Sequence, residues 1–325
     1  MSEPPDGSSP ELRLPWVVEV TRGPFIESEH RVALVVLEPD GRVGVSAGAV
    51  HEPVLARSAL KPAQALALLG LLADHDDLDD RELALAAGSH SGEPGHLAVA
   101  AALLARHGLD PGALACPPAR PLGVAAEHAW GERPPDRLAM NCSGKHAAML
   151  VACAARGWPL ERSTDPGHPL QRHVRATLER VGGPVRGVTV DGCGAPAFAT
   201  DLEAVARLGR HLAGAVPGSP EHRVAAAMRA HPWLVAGTDR LDTVLMSSPA
   251  GRLSKVGAEG VLLAVLPDGA SLALKVADGS ARAVGPVLLA VLEQRGVAIP
   301  EVLRRVADPP VRGGGHPIGA HRVRA

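Results

Sequence analysis

Apolar residues follow a strand-like pattern at both ends of the chain. Near the N-terminus, the segments WVVEVTR, HRVALVVL and GRVGVSAG alternate or run apolar, and an EPDG turn joins the last two. The last third returns to this pattern in DTVLM, GRLSKVG, GVLLAVLP and SLALKVAD, with an LPDGA hairpin turn between the last two. We therefore predict β-strands from both ends of the chain.

Between these strands the pattern is mainly helical. ARSALKPAQALALLGLL predicts a helix in which Ser58 is the N-cap and Pro62 lies in the first turn. GPVRGVTVDGCG predicts a strand that leads into a Gly-rich loop. The remaining helices are predicted at residues 80–87, 94–107, 144–156, 169–181, 200–212, 285–295 and 299–306.

This distribution predicts an α+β fold. The N- and C-terminal strands are expected to pair in one antiparallel sheet, with the helical region packed on it. Segments rich in Pro, Ser and Gly flank this domain. Residues 1–12 predict a disordered N-terminus and residues 308–325 a flexible C-terminal tail, which leaves one domain at residues 13–307.

Charge and composition exclude several classes of protein. The net charge is −2, so no basic excess points to nucleic acid or to an anionic membrane surface. No apolar run approaches the about 20 residues of a spanning helix, and the polar N-terminus lacks a signal-peptide core, which predicts a cytoplasmic protein. The absence of tyrosine excludes mechanisms with a tyrosine base. In a reducing compartment, the four cysteines are expected to be ligands, nucleophiles or core residues.

The SALK segment is the first candidate for chemistry. Ser58 and Lys61 are three residues apart at a predicted helix start, so they share a face. A desolvated lysine near a second cation loses its proton more readily and can be the base that a serine nucleophile needs. Free backbone N–H groups at the helix start suit an oxyanion. An N-cap serine followed by a solvated lysine would have the same spacing.

Two later segments extend this serine–lysine pattern. AAGSHSGEPGH joins two predicted helices and contains Ser89. A polar turn between helices, capped by Ser89 or Ser91, would have the same residue pattern. Lys255 lies on a predicted strand with Gly257 two residues on, and Lys275 on the next strand competes for the same role. Penicillin-recognising serine enzymes have these three pieces in this order. The residue types therefore indicate a serine hydrolase with a lysine base.

A third pattern combines cysteines with a lysine. Cys142 and Lys145 are three residues apart in NCSGKH, and Cys193 follows a predicted strand in DGCG. Two thiolates could bind zinc, with Lys145 or His146 as the nearest third ligand. Two buried cysteines in Gly-rich turns would fit the spacing as well. There is no C-x-x-C, which excludes a zinc ribbon.

Taken together, five blocks resemble a known family. RSALKPAQ, GSHSGEPGH, NCSGKHAAML, DGCGAP and SKVGAEGV with LALKVADGS are similar to the asparaginase II family, the rhizobial type of L-asparaginase. The resemblance covers about residues 16–296. It implies a fold like that of serine β-lactamases and glutaminases, and hydrolysis of L-asparagine to L-aspartate and ammonia by a homodimer with zinc.

The resemblance also implies a role for each motif residue. Ser58 is the expected nucleophile and Lys61 its base. Ser89 would form a second pair with Lys255, whose K-x-G context favours it over Lys275. The implied zinc ligands are Cys142, Lys145 and Cys193. The residues expected to line the substrate pocket are Arg57, His146 and Asp191.

Two other functions share parts of this pattern. A glutaminase or penicillin-recognising amidohydrolase would have the same serines and lysines, but the absence of an export signal argues against a cell-wall substrate. A non-catalytic zinc-binding protein on the same scaffold would keep the cysteines, yet the serine–lysine set is complete. The expected partner is a small molecule, with neither nucleic acid nor a membrane involved.

Overall fold

The computed structural model describes residues 14–74 and 78–325. The predicted disordered segment, residues 1–12, lies outside this part of the chain. The strands are β1 Trp16–Arg22, β2 Phe25–Leu37, β3 Val43–Ala47, β4 Val54–Leu55, β5 Gly187–Val190, β6 Pro196–Thr200, β7 Leu253–Gly257, β8 Val261–Val265, β9 Ser271–Val276, β10 Val311–Gly313, β11 His316–Gly319 and β12 His321–Arg324.

The helices lie mainly between the strands of the two chain ends. They are α1 Lys61–Leu72, α2 Asp80–Ala86, α3 Pro94–Arg106, α4 Val124–Trp130, α5 Ser143–Ala155, α6 Pro169–Val181, α7 Leu202–Ala213, α8 Pro220–Ala230, α9 Pro232–Val235, α10 Leu241–Met246, α11 Val284–Gln294 and α12 Glu301–Ala307. Short 3₁₀ turns occupy Arg57–Leu60, Pro111–Ala113 and Ala281–Ala283. None of the helices in the described ranges is long and apolar enough to cross a membrane.

One antiparallel sheet contains strands from both ends of the chain. Its order is β12-β1-β2-β9-β8-β7, and β3 also pairs with β2. The predicted α+β fold, with N- and C-terminal strands in one sheet, is therefore confirmed. A smaller antiparallel sheet, β4-β6-β5, lies in the helical region and leads into the predicted Gly-rich loop.

The main sheet is buried on both faces, which explains its continuous apolar strands. In β8, Val261 and Leu263 belong to the core shared with the helical region, whereas Leu262 and Ala264 belong to the core shared with α11 and α12. Successive side chains of a strand point to opposite faces, so each core receives every second residue. Strand β7, at the edge of this sheet, carries Lys255.

The prediction of a strand at DTVLM is wrong. These residues lie in helix α10 and pack on strand β7, and Asp242 in its first turn faces that strand. A short apolar run has no decisive period of its own, so its contacts decide between helix and strand. The prediction also omitted helix α8, although Ser219 caps it by accepting a hydrogen bond from the backbone N–H of His222 and Pro220 occupies its first turn.

The tail at residues 308–325 is not the flexible segment that its composition predicts. It forms β10, β11 and β12, and β12 pairs with β1 at the edge of the main sheet. Thr21 Oγ1 lies 3.0 Å from both the carbonyl oxygen and the backbone nitrogen of Ala320, which fixes the approach to β12. Tertiary pairing thus orders a segment whose own composition favours disorder.

Gly319 tests this pairing. A Cβ on Gly319 would lie 1.8 Å from the carbonyl oxygen of Thr21, so Gly319→Ala is expected to disrupt the contact and to lower the free energy of unfolding by about 1–3 kcal/mol. Denaturant unfolding measures the change. Gly70→Ala is the control, because its added Cβ meets only His173 Nε2, at 3.7 Å, in an exposed part of helix α1. A Gly319→Ala protein as stable as Gly70→Ala would contradict the pairing.

Candidate functional site

Ser58 lies in a 3₁₀ turn rather than at the N-cap of a helix. The turn spans Arg57–Leu60, and α1 begins at Lys61 with Leu60 in the N-cap position. Arg57 has a φ of 51°, in the left-handed region that non-glycine residues rarely adopt. Ser58 is half-buried, whereas Lys61 is only 1% exposed. Residues three apart in a 3₁₀ turn lie on the same side, so the turn keeps both side chains on one face.

Lys61 connects three of the predicted blocks. Its Nζ lies 2.5 Å from the carbonyl oxygen of Gly88, 2.8 Å from Ser89 Oγ and 3.1 Å from Cys142 Sγ. None of the hydrogen bonds found in the described ranges joins Lys61 to Ser58. The serine that contacts this lysine is therefore Ser89, 28 positions further along the chain.

No hydrogen bond among the described residues joins Ser89 to Lys255, so this second serine–lysine pair stays a prediction. Lys255 is 1% exposed, and its Nζ donates to Asp242 Oδ2 at 3.3 Å and to the carbonyl oxygen of Val256 at 2.8 Å. The pKa of Lys255 is lowered to about 8, mainly by burial. Asp242 opposes this shift, and the positive charge of Lys61 adds to it.

Of the two competing lysines, Lys255 is the one that belongs to this region. Lys275 Nζ donates to the carbonyl oxygens of Glu259 and Val276, and its side chain lines a separate cavity of about 460 Å³. Gly257, two residues after Lys255, brings strand β7 against the turn of Ser58, because a Cβ there would lie 2.4 Å from the carbonyl oxygen of Ala56. The K-x-G segment thus borders the candidate nucleophile.

Two cysteines and a lysine form a buried cluster beside Lys61. Cys142 precedes helix α5, Lys145 lies in its first turn, and Cys193 lies in the tight turn from Asp191 to Ala195 after β5. Lys145 Nζ donates to Cys193 Sγ at 3.3 Å. A hydrogen bond from Cys142 and the charge of Lys145 hold the pKa of Cys193 well below its usual range, so Cys193 is the thiolate of the pair.

The donors of this cluster fit zinc. In a tetrahedral site, a sulfur and a nitrogen ligand are about 3.5 Å apart, which is close to the observed Lys145–Cys193 contact of 3.3 Å. No three His, Cys, Asp or Glu side chains in residues 14–74 and 78–325 are grouped to hold a metal, so the third donor offered here is Lys145. His146 lies close enough to Cys193 to lower the pKa of this thiol, and its Nε2 is buried without a hydrogen-bond partner.

Arg57 and Asp191 form an ion pair next to Ser58. Arg57 Nε lies 2.6 Å and Nη2 2.5 Å from Asp191 Oδ1, which also accepts a hydrogen bond from the backbone N–H of Gly192. The side chains are 26% and 13% exposed, so the pair stays accessible from solvent. The structure therefore brings opposite charges, an accessible serine and buried lysines into one region.

A family comparison agrees with the motifs at this site. The model of the L-asparaginase II family matches residues 18–323 of the chain. The chain belongs to the L-asparaginase II family. The predicted resemblance is thus confirmed, and membership in this family supports an amidohydrolase with a small-molecule amide substrate. No curated protein matches the chain.

Solved structures to which this L-asparaginase II family member is similar include two β-lactamases and a glutaminase. A β-lactamase from Mycobacterium bovis is 15% identical, with 81% of this chain and 94% of that chain covered and a TM-score of 0.42. A Bacillus glutaminase is 13% identical, with 82% and 92% covered and a TM-score of 0.40. A β-lactamase from Desulfarculus baarsii is 18% identical, with 83% and 93% covered and a TM-score of 0.42.

The sequence patterns missed Asp242, the carboxylate that contacts Lys255. Asp242 was assigned to a strand, and its spacing from Lys255 matches no local motif. In the GSHSGEPGH loop the pattern predicts Ser89 but leaves open a polar turn capped by Ser89 or Ser91. Glu93 Oε1 accepts a hydrogen bond from the backbone N–H of Thr238, and His96 bonds to the carbonyl oxygen of Trp233. These contacts hold the loop that presents Ser89.

The left-handed backbone conformation of Arg57 predicts a difference in stability between two variants of this residue. Arg57→Gly and Arg57→Ala both remove the guanidinium and its ion pair, but only glycine adopts a φ of 51° without a steric cost. The glycine variant is therefore expected to be more stable than the alanine variant by about 1 kcal/mol. Denaturant unfolding of the two variants measures this difference. An alanine variant that is as stable as the glycine variant would contradict the strain.

Proposed function

We propose that the protein hydrolyses L-asparagine to L-aspartate and ammonia through an acyl-enzyme on Ser58. The observation that carries this proposal is the position of Lys61, which is three residues after Ser58 and within hydrogen-bond distance of Ser89 and Cys142. A serine hydroxyl becomes an effective nucleophile only when a neighbouring base accepts its proton. Lys61 and Ser89 supply such a route next to an accessible serine.

The Arg57–Asp191 pair supports an amino-acid substrate. A guanidinium binds a carboxylate through two parallel hydrogen bonds, and a carboxylate accepts hydrogen bonds from an ammonium group. In our proposal the α-carboxylate of asparagine binds Arg57 and its α-ammonium binds Asp191, each replacing part of the ion pair. The side-chain amide then points towards Ser58, the residue next to Arg57 in the chain.

The reaction follows from these positions. Ser58 Oγ attacks the amide carbonyl carbon, and its proton passes to Lys61, directly or through Ser89. Backbone N–H groups of the turn that contains Ser58 stabilise the oxyanion. The C–N bond breaks, and ammonia leaves with the proton that Lys61 holds. Water then attacks the aspartyl ester, and Lys61 takes a proton from that water. As the ester C–O bond breaks, Lys61 returns this proton to Ser58 Oγ, which releases L-aspartate and restores the serine hydroxyl.

Cys142, Lys145 and Cys193 are the proposed zinc ligands. Bound zinc would supply a fixed positive charge that orders the three segments carrying these residues. The chain itself contributes a thiolate at Cys193 and a buried amine at Lys145. The contact between Cys142 and Lys61 links this cluster to the proton-transfer route. The homodimer and the cytoplasmic location stay predictions.

Substitution of Ser58 tests whether the reaction passes through an acyl-enzyme. Ser58→Ala is expected to lower ammonia release from asparagine by about 10⁴-fold, because no other side chain replaces the nucleophile. Hydroxylamine added during turnover should intercept the ester and form aspartyl hydroxamate in the unsubstituted protein but not in Ser58→Ala. Parallel assays with glutamine and with a β-lactam test the other amidohydrolase activities.

Ser89→Ala and Ser91→Ala separate the contact with Lys61 from loop packing. Ser89→Ala removes the serine that hydrogen-bonds to Lys61 and should lower kcat, whereas Ser91→Ala leaves that contact in place. Normal ammonia release by Ser58→Ala would show that the nucleophile is another residue. If Ser89→Ala is as active as Ser91→Ala, Ser89 does not take part in proton transfer between Ser58 and Lys61.

Zinc content tests the cluster independently of activity. The purified protein is expected to contain stoichiometric zinc, and Cys142→Ala together with Cys193→Ala should abolish binding because two of three donors are lost. Cys153→Ala is the matched control, since Cys153 is a fully buried cysteine in the hydrophobic core. Elemental mass spectrometry measures the metal. Zinc retained by the double variant, or lost from Cys153→Ala, would contradict these ligands.

A further inference from the structure

We propose that Asp242 is the positioning residue for Lys255, whose ammonium group it holds beside the serine–lysine site. This inference deepens the proposed function and rests on it for the role of the site. Asp242 is not one of the motif residues, and it lies in a different element from the lysine that it contacts.

One carboxylate binds three consecutive residues of strand β7. Asp242 Oδ1 accepts hydrogen bonds from Ser254 Oγ at 2.6 Å and from the backbone N–H of Val256 at 2.9 Å. Its Oδ2 lies 3.3 Å from Lys255 Nζ. Because β7 is an edge strand, the N–H of Val256 has no neighbouring strand on that side, and Asp242 takes the place of one.

The burial of this pair argues for a role beyond holding the strand. Lys255 is 1% and Asp242 2% exposed. Replacing a buried ion pair by apolar side chains is often neutral or stabilising, so the fold alone gives little reason for a lysine here. The lysine is also placed near a second buried lysine, Lys61, which disfavours its charge. The ammonium at position 255 is thus retained at an energetic cost.

The charged groups around Lys255 define what Asp242 does. Lys61 faces it from helix α1 and Arg240 from the segment before α10, and both disfavour the ammonium form. Asp242, from α10, is the group that favours it, by its charge and by its hydrogen bond. Asp242 therefore decides whether Lys255 stays protonated near neutral pH.

The proposal predicts a shift in the pH dependence of kcat. If the ammonium form of Lys255 is the active one, activity falls as pH rises through the pKa of Lys255, about 8. Removing a carboxylate at this distance lowers the pKa of its partner by about 1–3 units, so Asp242→Asn should lose activity at a pH about 1–3 units lower. We expect kcat to change while KM for asparagine stays similar, since neither residue is in the Arg57–Asp191 pair.

Three variants separate positioning from strand support. Asp242→Glu keeps the negative charge, so its activity should fall at the same alkaline pH as that of the unsubstituted protein. Ser254→Ala removes one hydrogen bond to the carboxylate but leaves the charge pair, so its pH profile should match the unsubstituted protein. Lys255→Arg replaces the lysine by a group that does not titrate, and any activity it retains should lack the limb near pH 8. A retained limb in Lys255→Arg, or a uniform loss of kcat in Asp242→Asn at every pH, would overturn the proposal.

Unfolding measurements test the pair without a substrate. In Asp242→Asn the deficit in unfolding free energy should be largest near about pH 5 and should shrink as the pH rises. It should disappear above about pH 9, where Lys255 is neutral in both folded proteins. If Asp242→Asn is too unstable at neutral pH, purification at about pH 9 removes the unpaired charge. A pH-independent deficit would refute the assignment. A pH-dependent deficit in a protein that does not hydrolyse asparagine would refute the proposed function and retain the pair.

Discussion

The site depends on a single buried amine. Lys61 is 1% exposed, so each of its hydrogens needs an acceptor inside the protein, and the carbonyl of Gly88, Ser89 Oγ and Cys142 Sγ meet this need. A buried amine without hydrogen-bond partners is costly, and the loop after α2 and the start of α5 therefore have to converge on α1. This one requirement brings together segments that are separated by 27 to 81 positions in the chain.

Three lysines, Lys61, Lys145 and Lys255, are the largest fully buried side chains of the described residues. Each has its own compensation: neutral acceptors and a thiol for Lys61, the Cys193 thiolate for Lys145, and the Asp242 carboxylate for Lys255. Burial lowers the pKa of a lysine, whereas a neighbouring anion raises it. Two of these amines therefore differ in how firmly they hold a proton: the charge of Cys193 raises the pKa of Lys145 despite its burial, whereas burial lowers the pKa of Lys255 to about 8.

The main sheet supplies the frame for these amines. Its central strands contribute alternate residues to two apolar cores. Strand β7 lies at an edge of the sheet, where Gly257, two residues after Lys255, packs against the turn of Ser58. At the opposite edge, β12 covers β1 and completes the sheet. The site therefore lies where an edge strand, a 3₁₀ turn and two loops meet, and the Arg57–Asp191 pair lies at its accessible side.

Local patterns along the chain were sufficient to predict the fold class, most of the helices and the residues of the motifs. Continuous apolar strands and amphipathic helices are local patterns, and the order of the five blocks was sufficient to indicate the family. Contacts between distant segments, in contrast, bring together Ser89 and Lys61, Lys255 and Asp242, and β12 and β1. Such contacts also make a helix of DTVLM and place Ser58 in a 3₁₀ turn. These outcomes depend on hydrogen bonds and burial between distant segments, which spacing along the chain does not encode.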